Sequence, residues 1–186
     1  MKTEKEKMLL GELYDPMDKQ LAGERKQARL LLKELNDSHE DERKKRNRIL
    51  KQLIPQASAN LWIQAPFYCD YGYNISTGEN VFFNFNCVVL DVMKITIGSR
   101  TLFGPAVQIY TAMHPFDYAE RASGLESAKP VHIGEDVWVG GAAIICPGVS
   151  IGNRSVIGAG SVVTKDIPDD VFAAGNPCKV IRELNS

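Results

Sequence analysis

From residue 133 to residue 167 an aliphatic side chain recurs at every sixth position: Ile133, Val139, Ile145, Ile151, Ile157 and Val163. The next residue in each step is Gly134, Gly140, Cys146, Gly152, Gly158 or Thr164, so mostly glycine. Four residues after the aliphatic come Val137, Ala143, Val149, Ser155 and Ser161, all small or β-branched. A period of six matches neither the 3.6 of a helix nor the alternation of a hairpin strand. It is the repeat of a parallel β-helix. Three such units close one triangular coil, which predicts Ile133 under Ile151, Val139 under Ile157 and Ile145 under Val163. Glycine after the inward residue is expected to relieve the backbone where it turns. The small fifth residue keeps a narrow interior from overfilling. Each coil touches only its neighbours, so the ends need caps.

The same inward phase runs in looser form through Ile63, Cys69, Ile75, Val81 and Cys87, slips near Asp91-Val92-Met93, and resumes at Ile97, Phe103 and Ile109. Residues 113–130 break it with two prolines and several charges. A loop of that length leaving a regular coil is expected to be functional. Beyond Ile167, Pro168 and Gly175-Asn176-Pro177 end the coils.

Ahead of the repeat the pattern is helical. Residues 3–11 read as a short helix closing at Gly11. Asp15-Pro16 is expected to open a second, Asp as N-cap and Pro in the first turn, with Leu21, Ala28, Leu31, Leu32 and Leu35 on its buried face. Ser38 and Asp41 suggest a capping box for a third helix, ended by Pro55. Two domains follow: a helical one over 1–60 and a β-helix over 61–186, the latter with an excursion at about 113–130. The third helix carries Arg43-Lys44-Lys45-Arg46-Asn47-Arg48 behind Glu40-Asp41-Glu42. Pairs Glu40–Lys44, Asp41–Lys45 and Glu42–Arg46 favour a solvated face over a nucleic-acid contact.

Composition changes this picture little. With 186 residues and a net charge of −1, there is no global pull toward nucleic acid or an anionic membrane. No apolar run reaches the ~20 residues of a membrane span, and no secretory leader is recognisable, so a cytoplasmic location is the expectation. The four cysteines show no Cys-x-x-Cys spacing, which argues against a zinc ribbon or redox dithiol. Cys69 and Cys87 lie eighteen apart and are expected to stack as two reduced core residues.

Of three histidines, His39 and His132 read as surface residues, whereas His114 stands where the coil lets go into the excursion. Gly158-Ala159-Gly160-Ser161 is in phase with the repeat and precedes no helix, so it is not a dinucleotide-binding turn. Asn84 and Asn86 among aromatics fit either an amide stack bonded to turn backbone or the polar wall of a cleft.

Asp70-Tyr71-Gly72-Tyr73-Asn74-Ile75, Asn84-Phe85-Asn86, His114-Pro115, Ile133-Gly134-Glu135-Asp136-Val137-Trp138-Val139-Gly140, Ile157-Gly158-Ala159-Gly160-Ser161-Val162-Val163-Thr164-Lys165-Asp166 and Gly175-Asn176-Pro177 resemble the hexapeptide-repeat sugar O-acetyltransferases, the maltose and galactoside acetyltransferases above all. The likeness covers nearly the whole chain. It implies a left-handed parallel β-helix forming a homotrimer, with acetyl-CoA as co-substrate in clefts between subunits and no metal. It implies His114 as catalytic base toward a saccharide hydroxyl, usually the 6-position, with Asn84 in the acceptor site and Asp15, Asp70 and Glu126 at or near sugar contacts. Gly141, Ala159, Thr164 and Lys165 match pantetheine and phosphate contacts, with Lys179 and Arg182 toward the nucleotide. Phe82 and Val92 stand where galactoside enzymes carry Tyr and Asp, which weakens the match to a galactoside acceptor. Maltose or glucose leads, and a chitooligosaccharide is the nearest rival. A γ-type carbonic anhydrase would need three histidine ligands, and only His114 and His132 lie near the coils. A non-catalytic assembly module is the alternative of a different class.

Overall fold

A computed structural model describes residues 2–184. Three sheets of seven, five and four strands, parallel except for the last strand of the seven-stranded one, wrap one interior, and the chain visits them in rotation. The architecture is a left-handed parallel β-helix. In the upper coils the register is the one the repeat predicts: Ile133 opposite Ile151, Val139 opposite Ile157, Ile145 opposite Val163. All six side chains are buried, and so are Val137, Ala143, Val149, Ser155 and Ser161. The two serines close their own polar groups, Ser155 Oγ donating to the Pro168 carbonyl at 2.7 Å and Ser161 Oγ to that of Gly158 at 2.6 Å.

Two expectations about the repeat are corrected. The lower coils advance by twenty residues, Ile63 opposite Phe83 and Phe83 opposite Phe103. Cys69 therefore faces Val89, and Cys87 faces Phe67, so the two cysteines do not stack. The wider turn accommodates larger side chains: Phe83 stacks on Phe103 with centroids 4.3 Å apart, and Phe67 meets Phe83 edge-on at 5.4 Å. Cys69 and Cys87 are buried free thiols, and burial raises both well above the ordinary range, Cys87 to about 11. The glycines after the inward residue do not supply the left-handed backbone either. That conformation falls two residues later, at Asn80, Arg100, Asp136, Arg154 and Asp170 along one edge and Asn86, Ala106 and Ala142 along another. The glycines instead sit under the next coil, where a Cβ would come within 2.5 Å of backbone: Gly98 against Glu135 N, Gly140 against Ala159 N.

Three helices, α1 (Glu4–Leu10), α2 (Lys19–Asn36) and α3 (Arg43–Leu53), close the lower end. Thr3 and Glu6 form a reciprocal capping box on α1, and Gly11 ends it in the left-handed conformation. Asp18, not Asp15, caps α2, accepting from Gln20 N and Leu21 N; Asp15 turns back onto Met17 N at 2.8 Å. Ser38 Oγ bonds the Leu35 carbonyl and finishes α2 rather than capping α3, which starts at Arg43. Glu40 and Asp41 thus precede α3, and of the acids and bases expected to pair along it only Glu42 and Lys45 meet, at 3.1 Å. Nor is the basic run all solvated. Arg46 is 3% exposed, donates to the carbonyl of Ile63 and to Ser38 Oγ, and shares the Trp62 ring with Arg43. Leu32, Leu35, Ile49, Leu53 and Ile54 pack into the coil core, so cap and coils share one interior.

The excursion leaves after Tyr110. Ala112–Met113 pairs antiparallel with Ser127–Ala128, and a four-residue helix, α4 (Tyr118–Arg121), lies at its tip. Phe116 there is 93% exposed. A second apolar cluster of Met8, Tyr14, Leu21, Tyr71, Val92, Met93 and Ala128 ties the base of the excursion to α1 and α2.

Candidate active site

The prism has three edges, and the residues singled out in the sequence lie on two of them. The edge joining the seven- and five-stranded sheets carries Asn84, Gly141 and Ala159; the edge joining the five- and four-stranded sheets carries Asp70, Glu126, His114, Thr164 and Lys165. Strand Cys87–Leu90 crosses from one to the other. Its four residues at ~3.3 Å each span about 13 Å, more than the side chains of Asn84 and His114 can bridge. One chain alone does not bring them together.

On the first edge, the residue before each left-handed corner forms a column of Phe85, Pro105, Gly141 and Ala159. The backbone N–H of Phe85 is taken by Asn84 Oδ1 at 2.8 Å, which leaves the Asn84 amide NH2 free of protein partners among the described residues. Pro105 has no N–H. The N–H groups of Gly141 and Ala159 have no protein acceptor among the described residues, and neither residue carries a side chain that would shield them. The edge therefore bears free donors suited to the amide carbonyls of an extended chain. At its upper end the Gly175 turn leads to Lys179–Glu183, an exposed strand antiparallel to Val171–Ala174, bearing Lys179 and Arg182.

On the second edge, Tyr14 is 1% exposed and exchanges both backbone hydrogen bonds with Glu126, while its hydroxyl donates to Glu126 Oε2 at 2.8 Å. Burial, with that carboxylate beside it, pushes the Tyr14 phenol well up, so it stays a donor. His114 follows Met113, whose partner Ser127 follows Glu126 in the chain. Burial also raises the Asp70 carboxyl, opposed by Arg25 and Arg29 and reinforced by the charge of Glu126. Asp15 is exposed on the turn before α2, one residue from Tyr14. Tyr14, Glu126 and Asp70 thus share one corner, with His114 and Asp15 each adjoining a member of its pairs in the chain. Thr164 and Lys165 are exposed higher on the same edge, so the residues expected at the cofactor divide between both edges.

Sequence reasoning passed over Tyr14, Arg25 and Asp91. Asp91 is fully buried and accepts from the N–H of Asp70 at 3.0 Å and of Tyr71 at 2.9 Å, fixing the loop that presents Asp70. Arg25 donates to the Tyr71 hydroxyl at 2.7 Å and to the Pro16 carbonyl. A carboxylate where the inward phase slips was the available signal. Burial pushes the Asp91 carboxyl up to about 7, aided by Asp70 and opposed by the backbone donors. Its folded pKa exceeds the unfolded value of about 3.9, so the stability it contributes is present below pH ~4 and lost as pH rises through 7, on the order of 4 kcal/mol in all. Thermal melts should show the melting temperature falling from pH 5 to pH 8, and Asp91→Asn should flatten that slope; an unaltered slope would assign it elsewhere.

Comparison with known proteins finds matches to both the helical cap and the coils. Residues 7–57 match the model of the maltose acetyltransferase hexapeptide capping motif, and residues 130–165 match that of the bacterial transferase hexapeptide (six repeats). A putative acetyltransferase of Saccharomyces cerevisiae is 48% identical over 96% of this chain and 92% of its own length. A maltose O-acetyltransferase from Clostridium difficile superposes with a TM-score of 0.97 at 49% identity, covering 100% of this chain and 99% of that one. A galactoside acetyltransferase solved in complex with coenzyme A gives 0.95 at 40% identity, covering 100% and 92%.

Proposed function

This chain belongs to the hexapeptide-repeat acetyltransferases of the maltose and galactoside O-acetyltransferase type, and we propose that it moves the acetyl group of acetyl-CoA to a saccharide hydroxyl, the 6-position of maltose or glucose first. What supports the reading is the corner at the base of the excursion, where the Tyr14 hydroxyl donates to Glu126 and the charge of Glu126 acts on Asp70, with His114 one residue beyond the Met113–Ser127 pair. His114 takes the proton of the acceptor hydroxyl as its oxygen attacks the thioester carbonyl. The carbon–sulfur bond then breaks, and the leaving sulfur takes up the proton from the imidazolium. A positioned base contributes roughly 10²–10⁴-fold to such a step. Asn84, through its free amide NH2, donates to the acceptor or the developing oxyanion; Asp15, Asp70 and Glu126 orient sugar hydroxyls. Gly141 and Ala159 give N–H groups to pantetheine, and Thr164, Lys165, Lys179 and Arg182 face its phosphates and nucleotide. The test is release of free thiol from acetyl-CoA across glucose, maltose, galactosides and chitooligosaccharides; no release with any of them would remove the reading. Lys165→Ala should raise the KM for acetyl-CoA about tenfold with kcat nearly kept, and an unchanged KM would take Lys165 out of the phosphate site.

The divided site leads us to propose a homotrimer in which the first edge of one subunit meets the second edge of its neighbour. The outer faces of the sheets support an intersubunit contact. On the four-stranded sheet the outward column is Ser76, Thr96, His132 and Ser150, all polar. On the seven-stranded sheet it is Trp62, Phe82, Leu102, Trp138, Val156 and Phe172. Trp138 is 57% exposed within that apolar column, the kind of patch that marks a protein–protein contact.

A further inference from the structure

Three segments of the second edge meet at one fully buried carboxylate, Asp91. The first is the loop that presents Asp70. Asp91 Oδ1 accepts from the N–H of Asp70 at 3.0 Å and of Tyr71 at 2.9 Å, and Oδ2 accepts from that of Asn74 at 3.4 Å. Asn74 Nδ2 returns a bond to the Asp91 carbonyl at 2.7 Å. The second segment is the base of the excursion. Thr111, also fully buried and three residues before His114, brackets Asp91. Its hydroxyl donates to the Leu90 carbonyl at 2.6 Å and accepts from Met93 N at 3.0 Å. The third segment is the turn that carries Asp15. Tyr71, whose N–H Asp91 holds, accepts at its hydroxyl from Arg25, and Arg25 also donates to the carbonyl of Pro16 at 2.6 Å. A buried carboxylate is costly unless it is hydrogen-bonded. Here its donors among the described residues all come from residues 70–74, so its bonds fix that one loop against the start of the excursion.

We propose that Asp91 is a positioning residue for the acceptor: through its loop bonds and the Tyr71–Arg25–Pro16 chain it sets Asp70 and Asp15 relative to the strand that leads to His114. Asp91 itself touches no substrate. The inference rests on the reading of the chain as a saccharide acetyltransferase. The test takes whichever of glucose, maltose, a galactoside or a chitooligosaccharide is turned over fastest, and measures KM for that acceptor and for acetyl-CoA separately. Asp91→Asn keeps one oxygen as acceptor but sets an amide NH2 against one of the three N–H donors. It should raise the acceptor KM about tenfold and leave the acetyl-CoA KM within about twofold of wild type. Asp70→Asn should raise the acceptor KM as well. The double variant should show less than the product of the two single effects, because Asp91 acts through Asp70. An unchanged acceptor KM in Asp91→Asn, an equal rise in both KM values, or single effects that multiply in full would overturn the proposal and leave the acetyltransferase reading intact. Tyr71→Phe, which removes only the hydroxyl joining the loop to Arg25, covers the case in which Asp91→Asn does not fold. It should raise the acceptor KM about threefold, and no rise would overturn the proposal. Absence of turnover with every saccharide would instead overturn the acetyltransferase reading, and the role of Asp91 with it.

Discussion

Replacing His114 by Ala should lower turnover at least about a hundredfold while the protein still folds and binds acetyl-CoA. The side chain is exposed just past Ala112–Met113, outside both apolar clusters, so its removal opens no cavity. The corner around it is held by other groups, chiefly the Tyr14–Glu126 pairing and the second cluster. A sugar hydroxyl without a base is a poor nucleophile at neutral pH, and an ordinary carboxylate is a weaker base than an imidazole. The loss should therefore fall on kcat, with the KM for acetyl-CoA near its original value. Near-normal turnover in the purified variant would remove His114 from the mechanism. The same variant tests the divided site. If Asn84 of one subunit serves His114 of the next, His114→Ala and Asn84→Ala are each inactive alone, yet mixed trimers contain one intact pair. Random mixing at equal amounts should restore about a quarter of wild-type activity. No restoration from verified mixed trimers would mean that each site is built within one chain.

How far the sequence could foresee this depends on the residue type. The six-residue period was legible over 133–167 because aliphatic residues there have one use, filling a narrow interior, and the observed register agrees residue for residue. It was misleading lower down. The phase of Ile63, Cys69, Ile75, Val81 and Cys87 is real, but Phe83 and Phe103 belong to the same interior and widen the coil, and side-chain volume does not show in a count of spacings. Helix ends slipped for a related reason. Asp15 and Asp18 are equally good caps in isolation, and only the turn that brings Tyr14 against Glu126 selects the second.

The site was legible mainly by resemblance, because a lone His, an Asn pair or an exposed Lys has no periodicity to betray it. What no reading of spacings supplies is which edge each residue occupies. The six-residue step alone cannot distinguish the edge of Gly141 and Ala159 from that of Thr164 and Lys165, since both are corners of the same repeat. Nor could it find Tyr14 and Arg25, which act across more than forty residues of chain, Arg25 on Tyr71 and Tyr14 on Glu126.

The glycines of the repeat provide the sharpest test of the fold. Gly98→Ala should destabilise the protein by about 3 kcal/mol or more, whereas Gly23→Ala should stabilise it by roughly 0.5–1 kcal/mol. Both glycines have ordinary negative φ, so backbone freedom does not separate them. Space does. A Cβ on Gly98 would lie 2.5 Å from Glu135 N and from Gly134 C, main-chain atoms of the next coil that no rotamer change can move. The coil spacing is itself fixed by Gly98 N donating to the Ile133 carbonyl at 2.8 Å, so relief requires prising the ladder apart beside buried Ile97 and Ile133. Gly23, in the interior of α2, has nothing within 4 Å of its Cβ direction, and Ala there gains helix propensity at no steric cost. At this chain length each kcal/mol shifts the melting temperature by about 2–4 °C, so the two variants should move in opposite directions by clearly measurable amounts. If Gly98→Ala melts with the wild type, the coils are not in the close contact that positions Gly141 and Ala159 along one edge, and the row of donors described there loses its basis.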